Sequence, residues 1–172
     1  MANVSMNAAL EQFVAVLDEA FSRSPRSWSH FTDPSPDSGY FGTLSKIDVA
    51  KAARPIAGTS VAAQVSHVTF AMHASSAFIR ADSEPPGLEQ WQQSWRVPEL
   101  DEDTWRQMQT QLREAYYDLR RAIESHGVSQ IQSLGGVIGA IAHVAYHLGA
   151  IKQKIAIVGT AEPDAAPDPA GM

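Results

Sequence analysis

The fold class that this sequence predicts is all-α, arranged as a four-helix bundle, and three observations predict it. Four long stretches place apolar residues three and four positions apart, the repeat of one helix face. Segments rich in Pro, Gly, Ser and Asp separate those stretches and supply helix stops. No segment reads convincingly as a strand. A chain of 172 residues suits one domain and is long enough to bury a core of its own.

The first helix is expected from about Asn7 to Ser22, with Leu10, Phe13, Val14, Leu17 and Phe21 on its buried side. Ser24-Pro25 breaks it, and a long loop from Arg23 to Gly42 comes next; loops of that length are uncommon unless they cover something. Ser45 to Arg54 reads as a short helix, ended by Pro55 and Gly58. The second long helix starts at Thr59 or Ser60, both good N-caps, and reaches about Arg80. Val61, Val65, Val68 and Met72 make its apolar stripe, and His67 lies beside that stripe.

A second connection runs from Ala81 to Leu100. In it, Leu88, Trp91 and Trp95 share a face if the segment is helical, placing the two indoles at the bundle end or at a pocket mouth. The third long helix is capped by Asp101 or Asp103 and carries the seam Trp105, Met108, Leu112, Tyr116, Leu119 and Ile123, with Gly127 placed as its C′ residue. The fourth spans about Leu134 to Val158 and ends at Gly159. Gly135, Gly136 and Gly139 each cost it about 1 kcal/mol of helix propensity relative to Ala. Close approach of a neighbouring helix, or room for a ligand, would account for them. Residues 1–159 therefore read as a single helical domain and 160–172 as a flexible tail of Ala, Pro and Asp.

Composition narrows the function. Thirteen Lys and Arg against nineteen Asp and Glu give a net charge of −6 with no basic run, which argues against nucleic-acid binding. There is no cysteine, so a metal would need nitrogen or oxygen ligands and no cysteine nucleophile exists. Met1-Ala2-Asn3-Val4 shows neither a basic nor an apolar leader, so a cytoplasmic location is expected. The apolar run from Ile131 to Ile151 is long enough to span a bilayer. Gln132, Ser133, His143 and His147 interrupt it, so it reads as a central bundle helix buried nearly all round, with no membrane partner.

His143 and His147 stand four apart on one helix and so share a face, where two imidazoles can converge on one ion. Neutral imidazole suits zinc, nickel, copper and iron. Two histidines on an apolar helix are also common as hydrogen-bonded core groups, and a lone His67 has the same bland reading. Val144, Ala145 and Tyr146 between the pair contain no acid, so the pattern is not that of a zinc protease helix. Tyr146 points about 100° away from either histidine and is expected to pack. His73 and His126 read as surface or helix-end groups, while His30 in the long loop could approach the site. Glu114 or Asp118 is placed to orient an imidazole; Arg113, Arg120 and Arg121 read as a solvated face.

The run from His143 through Gly149 to Gln153, together with Ser66-His67-Val68 in a helix opening Ser60-Val61-Ala62, resembles the DinB/YfiT-like metalloenzyme family. Trp91, Ser94-Trp95 and the helix containing Trp105 resemble one branch of it, and the likeness extends from the first helix to Gly159. The resemblance implies a bundle with two long crossover connections. It also implies one divalent metal ion, such as zinc, nickel or iron, on His67, His143 and His147, and a homodimer. Members with known activity are thiol transferases or isomerases using low-molecular-weight thiols such as bacillithiol or mycothiol. Three protein ligands leave a position open for water or a thiol, which the ion would deprotonate. The resulting expectation is a metal-dependent transferase or hydrolase acting on a small molecule, with a low-molecular-weight thiol as the candidate cosubstrate. The rival is a helical protein that binds metal or a partner without catalysis.

Overall fold

The computed structural model describes residues 5–22, 28–81, 85–126 and 130–160. Among them the chain forms seven helices and no strand, only an isolated bridge between Ile56 and Thr59. Ser24-Pro25, Gly127 and the tail beyond Thr160 lie outside the described residues.

The four long helices agree closely with the sequence because their caps are local. Helix α1, Met6–Phe21, starts at Ser5, whose side chain accepts from the Ala8 amide. Helix α2, Tyr40–Leu44, and helix α3, Val49–Ala53, replace the single short helix expected over 45–54. The reason is Asp48, whose carboxylate takes the Lys51 amide at 2.8 Å and opens a separate N-terminus. Helix α4, Val61–Arg80, is capped by Ser60 and closes at Ala81, which adopts the left-handed conformation (φ 59°). Helix α5 is Leu88–Gln93. Helix α6, Glu102–His126, starts where Asp101 accepts the Thr104 amide at 2.7 Å. Helix α7, Ile131–Thr160, begins a turn earlier than expected and runs one residue past Gly159.

Helix α4 packs against α6 and α7, and α1 packs against the same two. Between them lies one core, with Leu17, Phe21, Val65, Met72, Leu112 and Leu119 among its sealed side chains. The first connection enters this core: Tyr40 stacks on Phe21 (centroids 4.9 Å apart) and donates its hydroxyl proton to the Val144 carbonyl at 2.9 Å. Arg80 reaches from α4 to Asp118 on α6 through two nitrogens, at 2.9 and 3.1 Å.

Helix α7 corrects one expectation. It is long and apolar enough to cross a membrane, yet only 33% of its most apolar window is buried. It is not enclosed on all sides: α4 and α1 are its main helix neighbours, and its outer face is open to solvent. Ile131, Ile138 and Tyr146 are 74%, 54% and 71% exposed there, so Tyr146 does not pack into the core. Only one of the three early glycines marks a close approach. A Cβ at Gly136 would come within 2.8 Å of the Phe78 ring on α4, whereas at Gly135 and Gly139 it would meet open space.

Candidate metal centre

His67 faces α7 from the middle of α4, carried inward by its buried neighbours Val65 and Val68. His143 and His147 face α4 from α7, flanking the buried Val144. The packing of these two helices therefore brings together all three histidines singled out in the sequence. The His67 ring centroid is 5.2 Å from that of His143 and 4.8 Å from that of His147; the latter two are 4.5 Å apart. One ring nitrogen from each lies within 4.8 Å of the other two. Around a tetrahedral ion with bonds of about 2.0–2.1 Å the same atoms would be about 3.3 Å apart, so modest ring rotation suffices to close on an ion.

The second connection forms the outer wall. Trp95 lies flat on His67, with centroids 3.9 Å apart and planes 12° from parallel. Trp91 stands 5.7 Å from His67 and 6.2 Å from His143. The indoles thus belong to the histidine site rather than to a bundle end, and Trp95 lies beyond the end of α5. Trp91 also borders an apolar cleft of about 230 Å³ lined by Phe78, Pro85, Pro86 and Gly136.

Two polar side chains hold the imidazoles. Nδ1 of His67 is 2.7 Å from the Ser94 hydroxyl, and Nδ1 of His147 is 2.6 Å from the Gln64 side-chain oxygen. Sequence reasoning missed both. Their only signals are a lone amide in the apolar start of α4 and a serine directly before Trp95. Asp118 is occupied by Arg80 and Arg121, and Glu114 is exposed on α6, so neither orients an imidazole. His30 does not come to the site; it is bound to Glu19. His73 and His126 are exposed, as expected. Of the three arginines expected on a solvated face, Arg113 and Arg121 are exposed, Arg113 lying 3.9 Å over the Phe41 ring, while Arg120 is half-buried between Asp18 and Glu124.

The electrostatics suit a cation. Burial, with a smaller contribution from His143, pushes the pKa of His67 down to about 4. Burial, then His143 and His67, does the same to His147, also to about 4. Burial lowers His143 as well. All three are therefore neutral at physiological pH and present lone pairs. Nε2 of His143 is buried and has no hydrogen-bond partner, which costs free energy unless something binds it. Three neutral nitrogens in a chain without cysteine fit a borderline ion such as zinc, nickel or iron(II). The centre can hold a metal ion.

No protein-family profile, no curated protein and no solved structure matches this chain.

Proposed function

We propose that the chain is a metal-dependent enzyme of DinB/YfiT type, a four-helix bundle whose His67, His143 and His147 hold one divalent ion and which acts as a transferase or hydrolase on a small molecule. The observation that carries the reading is the buried, partnerless Nε2 of His143, on a ring clustered with two further neutral imidazoles. When bound, a divalent ion with three protein ligands supplies an open Lewis-acid position that acidifies a water or a thiol. A low-molecular-weight thiol as cosubstrate suits a chain that has no sulfur nucleophile of its own. The protein's part is to hold the ligands, exclude water with Trp91 and Trp95, and offer the apolar cleft beside Trp91 to the second substrate. A homodimer belongs to the same reading through the family resemblance, with a cytoplasmic location as a further expectation.

A second reading, metal binding without catalysis, is favoured by the depth of the ligands, since His67 and His147 are only 5% and 3% exposed. The deciding experiment is elemental analysis of protein purified without an affinity tag, beside His143→Ala. About one divalent ion per wild-type chain and none in the variant supports the centre; none in either refutes it. Conjugation of an electrophile to a small thiol, with wild type and His147→Ala compared, then separates the two readings. Equal rates would leave only the non-catalytic one.

A further inference from the structure

The hydrogen bonds around the imidazoles fix more than their orientation. Ser94 Oγ lies 2.7 Å from the Trp91 carbonyl oxygen and 2.7 Å from Nδ1 of His67. A hydroxyl has one proton and a carbonyl has none, so that proton goes to Trp91. The other contact must then be His67 Nδ1–H donating to Ser94. A neutral imidazole carries a single N–H, which leaves the lone pair of His67 on Nε2. His147 repeats the pattern. Its Nδ1 faces the Gln64 oxygen, while the Gln64 amide nitrogen is spent on Thr59 Oγ1 at 3.1 Å. An amide oxygen only accepts, so His147 Nδ1 donates and its Nε2 is bare. His143 already presents an unpartnered Nε2.

Helix α5 has no fully buried residue; it is held over the site by half-buried Trp91, which packs edge-to-face on Phe70 and stands beside His67, and by the two residues after the helix. Ser94 is bonded to the His67 ring edge, and Trp95 is stacked on its face. Anything that fixes the His67 ring therefore also fixes residues 88–95.

We propose that Ser94 and Gln64 are the positioning residues of the centre: they set Nδ1–H tautomers that turn Nε2 lone pairs toward the ion, and through Ser94 ion binding and the seating of the Trp91–Trp95 segment become one event. This rests on the metal-centre reading above, but its first half is measurable without metal.

Long-range ¹⁵N–¹H NMR of the metal-free protein should show His67 and His147 as Nδ1–H tautomers. Ser94→Ala should lose that preference at His67, and Ser94→Thr should restore it. Titration with Zn²⁺ should show about 10–100-fold weaker binding for Ser94→Ala and for Gln64→Leu, the range for partners of ligating histidines, with Ser94→Thr near wild type. Zn²⁺ should slow amide exchange over 88–95 in wild type, and saturating Zn²⁺ should fail to do so in Ser94→Ala. Circular dichroism checks that each variant folds. An Nε2–H tautomer at His67 or His147 in wild type overturns the proposal, as does a Ser94→Ala protein that binds Zn²⁺ with wild-type affinity and protection. Both tautomers seen with no Zn²⁺ uptake would instead sink the metal reading and with it the coupling.

Discussion

The two long connections are each tied to the helices at a buried polar side chain, and they finish differently. In the first, Glu19 on α1 is 2% exposed, and one of its oxygens takes the amides of His30, Phe31 and Thr32 at 2.7, 2.9 and 3.2 Å. Its other oxygen meets the His30 ring at 3.1 Å. Every donor there ends on the carboxylate, and the network is closed. In the second, the chain of donors runs from Nδ1–H of His67 through Ser94 to the Trp91 carbonyl, and the imidazole that starts it keeps a lone pair on its other nitrogen, in a cluster with two more imidazoles. That network is open. A closed network has done its work when the loop is in place, whereas an open one offers something to a ligand. The orphan beside the second connection, Nε2 of His143, makes the same distinction.

The largest test of this contrast is Glu19→Ala. It strands several backbone donors at once and should cost about 2–4 kcal/mol in chemical denaturation, while Zn²⁺ affinity of the folded protein stays within a few-fold of wild type. A large loss of Zn²⁺ affinity would show that the first connection serves the site after all.

Acid should act on the same anchor. Burial raises the pKa of Glu19, but the hydrogen bonds from His30, Phe31 and Thr32 outweigh it and hold it below the ordinary 4.5. Above that value Glu19 is ionised both folded and unfolded, and its stabilisation is complete. As the pH falls below 4.5, the unfolded chain takes the proton first, so stability drops until the folded pKa is passed. The gap in denaturation midpoint between wild type and Glu19→Gln should therefore shrink as the pH is lowered to about 3. A gap that is independent of pH would contradict the charge-based anchor.

A smaller effect is expected from Trp95→Leu, which removes the stack on His67. Stability should fall by about 1 kcal/mol, and the Zn²⁺-dependent change in tryptophan fluorescence should diminish. The finest comparison lies on α7. Gly139→Ala adds a methyl into open space and should raise stability by about 1 kcal/mol, as helix propensity alone dictates. At Gly136 the same change presses on Phe78 and should gain nothing or lose stability. Thermal melts of the pair measure how closely α4 and α7 approach.

Much of this molecule was legible before any coordinates. The stripe Val61, Val65, Val68 and Met72, the seam from Trp105 to Ile123, and the caps Ser60 and Asp101 are local signals, and the helices formed where those signals lie. The pair His143 and His147 was visible from its spacing. The separate start of α3 at Asp48 was missed because its signal is one short side chain inside a polar segment. Arg120 looked solvated because its partner Asp18 is 102 residues away.

By itself the sequence determined the four long helices to within about a turn at each end, and which side of each carries its apolar and ligating groups, because those properties arise from hydrogen bonding and side-chain spacing within a few residues. Tertiary structure alone decided that His67 meets the α7 pair, that Trp95 covers it, that Ser94 and Gln64 hold the ring edges, and that the outer face of α7 stays exposed. Spacing gives a direction around one helix axis only. How two axes are turned and crossed relative to each other is set by packing between distant segments, and the centre exists only where α4 and α7 settle that choice.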